Sequence, residues 1–451
     1  MKKTLYPHQE EGVKYVVNGG TALWMQMRTG KTLTTIRSIQ ALLKRRIYLP
    51  FPVLIVCPKS VMETWRSELI GDGVPSENIQ IVDGPKVKRQ GMLRHLKWFN
   101  VCNYEMLESY DVLAEDFRFI VYDESVRIGN YSSKVTKYVT RRYDKTKRYL
   151  ALSGAPASES SLQLFPQYMA IQGTFMGYRT YADYLEKHWK YIERSYTWKP
   201  RSKKHLDDVQ KYNHETGYCV TMQDVSLGSE KLYSVRNIPI SKKQKELIKL
   251  TKELSFYRRD GQDIEFNPLT RTTFEQLIAA GMDPYDGNKL ISNTKIKDVL
   301  QYYKDSQEPV LILSRFKSLI HHAIDIFKAN GIKADFIDGT VPVKVLNPQI
   351  RDRDDIRKDF QEGRLDIVIA QVKTVKMGLD FSRATTIFYL SNSFSQDDRA
   401  QSEERATHVK KTDPVQIIDS CTEGTMDSMV VELLRNKQEV STAYIQKEML
   451  K

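Results

Sequence analysis

Short apolar runs alternate with amphipathic stretches through the first third of the chain. One opens at Thr21, Val53 to Cys57 is another, and IQIVDG and WFNVCNYEML repeat the pattern. Phe119 to Tyr122 and Tyr149 to Leu152 continue it. Runs this short, bounded by polar turns, read as buried strands. Between them LYPHQEEGVKYVV, LTTIRSIQALLKR and the stretch after Pro58 have helical periodicity. Strands alternating with helices predict a parallel α/β sheet, whose ligands gather at the carboxyl edge.

From Phe165 to about Glu230 this rhythm lapses into YRTYADYLEKHWKYIERSYTWKPRSKKHLDD, rich in Tyr, Trp, Lys and Arg. A boundary falls near DVSLGSEK, after which SKKQKELIKLTKELSF reads as a helix with Leu247, Leu250 and Leu254 on one stripe. Arg258 to Asn293 reads as irregular. A second α/β rhythm begins around Lys295, with strands at Val310 to Leu313, Ala334 to Ile337, Ile367 to Ala370, Thr386 to Leu390 and Val415 to Ile418. VPVKVLNPQI reads as an insertion after Gly339, and MDSMVVELLRNKQEVSTAYIQ as an amphipathic stretch packing back on the body. The predicted class is α/β: two tandem parallel-sheet lobes with a helical insertion in the first. The first spans 1–230, with an aromatic and basic protrusion at about 165–230. The second spans 231–451, with a helical lead-in at about 231–294.

Composition changes this picture little. At 451 residues and 41% apolar content, two or three folded domains are expected and global disorder is not. Lys and Arg outnumber Asp and Glu by 13, which fits a polyanionic partner as well as an ordinary basic surface. The four cysteines are far apart, so neither a zinc site nor a disulfide framework is suggested. No apolar signal core follows MKKTLYPHQEEG and no run is long enough to span a membrane. The expectation is a soluble, cytoplasmic protein.

The stretch MQMRTGKT brings in chemistry. Strand, tight loop and a helix opening at Lys-Thr build a phosphate cradle. Arg28, Thr29 and Gly30 form the loop; Lys31 would reach the β- and γ-phosphates, and the Thr32 hydroxyl would ligate Mg²⁺. The full pattern asks for glycine where Met25 stands. Gln9 reads either as an adenine-reading amide or as a solvated helix start. The run ending in Asp123 and Glu124 could deliver one carboxylate to Mg²⁺ and one to the attacking water. Paired acids at a strand end are also common on surfaces.

In order, LYPHQ, MRTGKT, VLIVCPKSV, YDES and LSGAP, then PVLILSRFKSLI, DIVIAQVKTVKMGLDF and QSEERATH, resemble the motifs of superfamily 2 helicases of the Swi/Snf branch. The resemblance spans nearly the whole chain, and its size is most similar to small phage or prokaryotic DNA translocases. It implies two RecA-like lobes that bind and hydrolyse ATP with Mg²⁺. It assigns Lys31, Asp123, Glu124 and Arg405 to catalysis, Thr32 and Asp123 to the metal, and Gln9, Gly378, Asp380, Gln401 and Arg405 to ATP. Three residues depart from the motifs: Val126 for the usual His, Ala155 for Thr, and His408 for a second arginine, which Arg399 or Lys410 could replace. Lys59, Tyr104, Ser314, Arg315 and Lys373 match the nucleic-acid track, which would hold phosphates without reading sequence. In the protrusion, Trp198, Lys199, Arg201, Lys203 and Lys204 are candidates for DNA contact, or else belong to a helical core and a solvated loop.

The expected function is therefore an ATP-dependent DNA helicase or translocase acting on duplex or branched DNA. Fork reversal or junction migration in phage or bacterial replication, recombination or repair is the expected task, alongside proteins of those processes. An RNA helicase, an ATP-gated DNA clamp with little turnover and a motor working with a separate nuclease remain as alternatives.

Overall fold

The computed structural model describes residues 4–435 except 27, 46–49, 110, 158–159, 194–196, 222–223, 226–228, 260–261, 344–349, 376–378, 408–410 and 412. The chain divides into two units, Met1–Leu227 and Gly228–Lys451.

In the first unit, helix α1 (Pro7–Val17) leads to β1 (Ala22–Met25) and α2 (Lys31–Arg45). Then come β2 (Val53–Cys57), α3 (Met62–Gly71), β3 (Ile79–Ile81), α4 (Lys86–Arg94), β4 (Phe99–Asn103) and α5 (Tyr104–Ser109). The series continues with β5 (Phe119–Asp123), α6 (Lys134–Arg141) and β6 (Arg148–Ser153). Side chains alternate between two cores because the pleat points successive residues to opposite faces. Leu54, Val56, Ile120 and Tyr122 enter one core, while Val53, Ile55, Phe119 and Val121 enter the other. A parallel sheet covered on both faces explains why its strands are unbroken apolar runs.

The insertion is not wholly helical. It comprises α7 (Leu164–Gln172), α8 (Tyr181–His188), a hairpin of β7 (Trp189–Ile192) and β8 (Thr197–Pro200), and α9 (Lys203–Thr216). It then returns as β9 (Tyr218–Val220), which pairs parallel with β1 and completes the seven-stranded order β3-β4-β2-β5-β6-β1-β9. Five of the aromatic residues there are core: Phe165, Tyr168, Phe175, Tyr184 and Trp189 are buried, with Phe165 and Tyr184 ring centroids 5.1 Å apart.

The stretch expected as a helical lead-in to the second unit opens instead with a strand, β10 (Lys231–Ile238). Helix α10 (Lys242–Glu253) follows, but its predicted stripe is corrected: Leu247 is buried while Leu250 is exposed. Gln244 and Thr251 are buried in its place, because each has a partner: Gln244 Nε2 donates to the Ile278 carbonyl at 2.7 Å, and Thr251 Oγ1 lies 2.7 Å from Tyr285 Oη. The supposedly irregular region holds a hairpin of β11 (Phe256–Arg259) and β12 (Gln262–Glu265), helix α11 (Pro268–Ala279), and the short pair β13 (Met282–Asp283) and β14 (Lys289–Leu290). Asn267 caps α11 by accepting from the Thr270 N–H at 2.9 Å, with Pro268 at the first helical position.

From α12 (Thr294–Ser306) the alternation predicted from the apolar runs is present. It runs through β15 (Val310–Ser314), α13 (Lys317–Ala329), β16 (Ala334–Ile337), α14 (Arg353–Gln361), β17 (Ile367–Gln371) and α15 (Val372–Val375). It ends with β18 (Thr386–Tyr389), α16 (Gln396–Glu403), β19 (Val415–Thr422) and α17 (Asp427–Arg435). The second sheet is parallel with order β10-β19-β18-β15-β17-β16. Residues 344–349 of the predicted insertion and 436–446 of the terminal stretch lie outside the described residues. The part of that stretch in α17 does pack back, its Val430 and Leu434 clustering with Phe394. Among the described residues no helix is long and apolar enough to cross a membrane.

A buried ionic network ties α16 to β10, β19 and α17. Arg399 Nη1 and Nη2 donate to the two Asp419 carboxylate oxygens at 2.7 and 3.0 Å, and its Nε to Glu403 at 2.8 Å. Arg435 Nη2 joins Asp419 at 2.6 Å, while Lys231 Nζ bridges Glu403 and Glu404 at 3.2 and 3.1 Å. Burial alone would raise the Asp419 pKa, but the Arg399 charge and the hydrogen bonds from Arg399, Asn392 and Arg435 hold it below the ordinary 3.8. A carboxylate so depressed stabilises the fold fully above pH 3.8, and this is lost as pH falls through the lower folded value. Asp419→Ala leaves Arg399 buried without its main partner. Urea denaturation of the variant is expected to show a loss of about 3–5 kcal/mol at neutral pH, shrinking in acid.

Candidate functional site

The phosphate loop is built on two residues with positive φ, Arg28 at 66° and Gly30 at 90°. These turn the chain from the end of β1 into α2. Lys31 Nζ donates to the Met25 carbonyl at 2.8 Å, closing the loop on itself. The N–H groups of Lys31, Thr32 and Leu33 open the helix and have no acceptor among the described residues. With the Lys31 ammonium and the Thr32 hydroxyl, they form a donor set suited to phosphate oxygens.

Gln9 is neither solvated nor idle. It is buried in α1, accepts from the Tyr6 N–H at 2.9 Å and donates from Nε2 to the Thr29 carbonyl at 3.1 Å. His8 Nε2 reaches the same carbonyl at 2.8 Å. A Cβ on Gly30 would meet the end of the Gln9 side chain, which would have to shift, at a φ that already disfavours any side chain. His8 is quoted in the LYPHQ motif, but nothing in its spacing announces this contact.

The acidic strand end lies on the same edge. β6 sits between β1 and β5, with Trp24 opposite Ser153 and Asp123 opposite Leu152. The phosphate loop, the acidic pair and LSGAP therefore leave the sheet together. Burial pushes the Asp123 pKa up, against hydrogen bonds from Trp65 and the Glu124 N–H and the charge of Lys31. Trp65 Nε1 donates to Asp123 Oδ2 at 2.8 Å and the Glu124 N–H to Oδ1 at 3.1 Å. Glu124 itself is left-handed, with φ 52°. Beyond it, Ser125 Oγ donates to Gln167 Oε1 at 2.7 Å, and Gln167 Nε2 donates to the Pro156 carbonyl at 2.6 Å. Trp65 and Gln167 were not foreseen; each lies on a helix, far in sequence from the residues it braces.

Several expected track residues fall elsewhere. Tyr104 is buried behind the acidic pair, its hydroxyl donating to the Asp123 carbonyl at 2.8 Å, so it belongs to the core. Ser314 is likewise buried, 3.0 Å from Ser391 Oγ, because a short polar strand end is covered by the neighbouring loop. Arg315 is half-buried, bonded to Gln276 and lying over the Phe394 ring at 5.1 Å; burial lowers its pKa. Lys59 and Lys373 are exposed, Lys59 within 3.8 Å of Asp83. Trp198, Lys199, Arg201, Lys203 and Lys204 are exposed as well, the first two on β8 and not on a loop.

In the second unit, Gln401 lies on α16 and Arg405 is buried just after it. The Phe381 N–H donates to the Arg405 carbonyl at 2.9 Å, which brings Arg405 beside Asp380. Arg399 is committed to Asp419 and Glu403 and is not a substitute arginine. Gly378, His408 and Lys410 lie outside the described residues.

A glycine-turned loop closing onto a helix N-terminus, two strands from a carboxylate pair on one parallel sheet, is the arrangement of a phosphate-loop α/β fold. Residues 8–253 match the SNF2-related domain and residues 294–410 the helicase conserved C-terminal domain. The chain belongs to the SNF2-related family.

Relatives include the Drosophila melanogaster SWI/SNF-related matrix-associated actin-dependent regulator of chromatin subfamily A-like protein 1, 23% identical over 97% of this chain and 55% of its own length. An uncharacterized ATP-dependent helicase of Mycoplasma pneumoniae is 22% identical over 97% of this chain and 42% of its own. The DNA annealing helicase and endonuclease ZRANB3 of Bos taurus is 22% identical over 98% and 40%. The chain thus spans about half the length of the curated relatives it matches. The Sulfolobus solfataricus SWI2/SNF2 ATPase core in complex with dsDNA aligns over 97% of this chain and 92% of that one, with 19% identity and a TM-score of 0.46.

Gly30→Ala places a methyl against Gln9 at a φ that disfavours it. Nucleoside triphosphate affinity, measured by calorimetric titration, is expected to fall at least about tenfold. Adding Gln9→Ala removes the collision but not the backbone strain, and is expected to restore binding only in part.

Proposed function

We propose that this protein is an ATP-dependent DNA translocase. The observation that carries the reading is the register that brings Lys31, Thr32, Asp123 and Glu124 to one sheet edge, with the Lys31 charge favouring the ionised Asp123. Family membership and the helicase names of its relatives support the same reading.

In this reading, Lys31 and the first N–H groups of α2 hold the triphosphate, and Lys31 offsets charge developing as the terminal bond breaks. Thr32 and Asp123 would hold Mg²⁺, which when bound draws charge from the phosphate oxygens. Glu124, next to Asp123 and carried on a left-handed turn, orients the attacking water and takes its proton. Gln9 keeps the loop in shape from behind.

The DNA partner is supported by the excess of 13 basic charges and by the exposed Lys59, Lys373, Lys199, Arg201, Lys203 and Lys204. Backbone contact of this kind grips any sequence, as a translocating motor needs. Within this reading the natural substrate is duplex or branched DNA, the task is fork reversal or junction migration, and the setting is phage or bacterial replication, recombination or repair in the cytoplasm.

The test is the steady-state ATPase rate without nucleic acid and with single-stranded DNA, duplex DNA, RNA or a four-way junction. Duplex and junction are expected to stimulate most. Lys31→Ala and Glu124→Gln are each expected to lower the stimulated rate by roughly 10² or more. A flat, near-zero rate on every substrate with ATP still bound would favour the clamp, and greatest stimulation by RNA would favour an RNA helicase.

A further inference from the structure

The β7–β8 hairpin carries an arrangement that neither the nucleotide site nor the core requires. Its register sets Trp189 opposite Pro200, Lys190 opposite Lys199, Tyr191 opposite Trp198 and Ile192 opposite Thr197. The pleat sends alternate pairs to opposite faces. Trp189 is 2% exposed and roots its face in the core, but the next pair out on that face, Tyr191 and Trp198, is 42% and 39% exposed. Their ring centroids are 5.2 Å apart with planes tilted by 56°. Two large rings thus stand beside each other in water.

The opposite face is as unusual. Like charges directly across an antiparallel pair destabilise it, and Lys190 stands directly opposite Lys199. The charge continues past the hairpin into Arg201, Lys203 and Lys204. From Trp189 to Lys204 the sequence has six basic residues and only one acid, Glu193. Such a hairpin is complementary to a ligand that carries negative charge and also presents flat apolar faces. Continuous duplex DNA offers phosphates but keeps its base faces stacked on one another. An unpaired strand offers both, and base–aromatic stacking takes any base. An acidic protein surface would neutralise the lysines but has no use for the ring pair.

We propose that the β7–β8 hairpin is a stacking site for unpaired bases beside a duplex, through which the protein distinguishes branched or gapped DNA from continuous duplex. Tyr191 and Trp198 supply the ring faces, and Lys190 and Lys199 hold the flanking phosphates. This rests on the DNA-motor reading above and adds a preference to it.

The experiment uses the full chain with two paired changes. Tyr191→Leu with Trp198→Leu keeps apolar bulk and removes the rings, whereas Tyr191→Phe with Trp198→Phe keeps both rings. Fluorescence anisotropy measures affinity for a blunt duplex and for a fork of the same length with two unpaired arms. The wild-type protein is expected to favour the fork. The fork-to-duplex affinity ratio is expected to fall about tenfold in the Leu pair and to be retained in the Phe pair. A ratio unchanged in the Leu pair overturns the proposal, whether both affinities fall together or neither does. If the wild-type ATPase is still stimulated by blunt duplex in that case, the motor reading stands and only the stacking site is lost. Wild-type protein that binds neither DNA overturns both.

Discussion

A carboxylate surrounded by protein is unstable unless something nearby favours its charge, and the first unit is arranged around that constraint at Asp123. Burial raises its pKa, while the Trp65 indole, the Glu124 N–H and the Lys31 ammonium all act in the other direction. Those groups come from three different elements, α3, the turn after β5 and the start of α2. Their convergence requires the parallel register that ends β1, β5 and β6 at one edge. Lys31 has a second tie, to the Met25 carbonyl, so the same ammonium serves both the loop and the acid. The sheet, the loop and the acidic turn are thereby one electrostatic unit.

The second unit meets a similar constraint at Asp419 with a different solution. There the carboxylate is enclosed by two arginines and an asparagine, and its charge is kept. Arg399 is locked between Asp419 and Glu403 on the helix that carries Gln401, which ends just before Arg405. A buried ion pair adds little net stability over an apolar pair, but it does fix one geometry. Here it fixes the position of α16 against β10 and β19, the strands at one edge of the sheet. Lys231 extends the tie to β10 through Glu403 and Glu404.

Much of this was legible in the chain because burial on both faces writes itself as an unbroken apolar run. Val53–Cys57 and Val310–Ser314 are of that kind, each with every residue buried. Strand β10 was not legible: five of its eight residues, Leu232 to Val235 and Asn237, are exposed and only Ile238 is buried, so it carries little core signature and is defined by pairing with β19. Strand β9 has only three residues, too few for any period. Helix α11 hides its packing in Glu275 and Gln276, both buried although their residue types read as surface. The candidate site could be read where the chemistry it would perform needs particular residues in a row, as at Lys31-Thr32 and Asp123-Glu124. It was not legible for Tyr104 and Ser314, since a polar residue at a strand end looks the same in sequence whether a loop covers it or water does. The bracing residues Trp65, His8 and Gln167 act across long separations that no local pattern records.

Gln167 has one consequence of its own. Its amide accepts from Ser125, one residue past the acidic pair, and donates to Pro156, one residue past Ala155. It is wholly buried and anchored to its own helix through the Gln163 carbonyl at 2.8 Å. The acidic turn and the loop after β6 are therefore shackled to a single side chain on α7, and a displacement of one pulls the other as a rigid lever would.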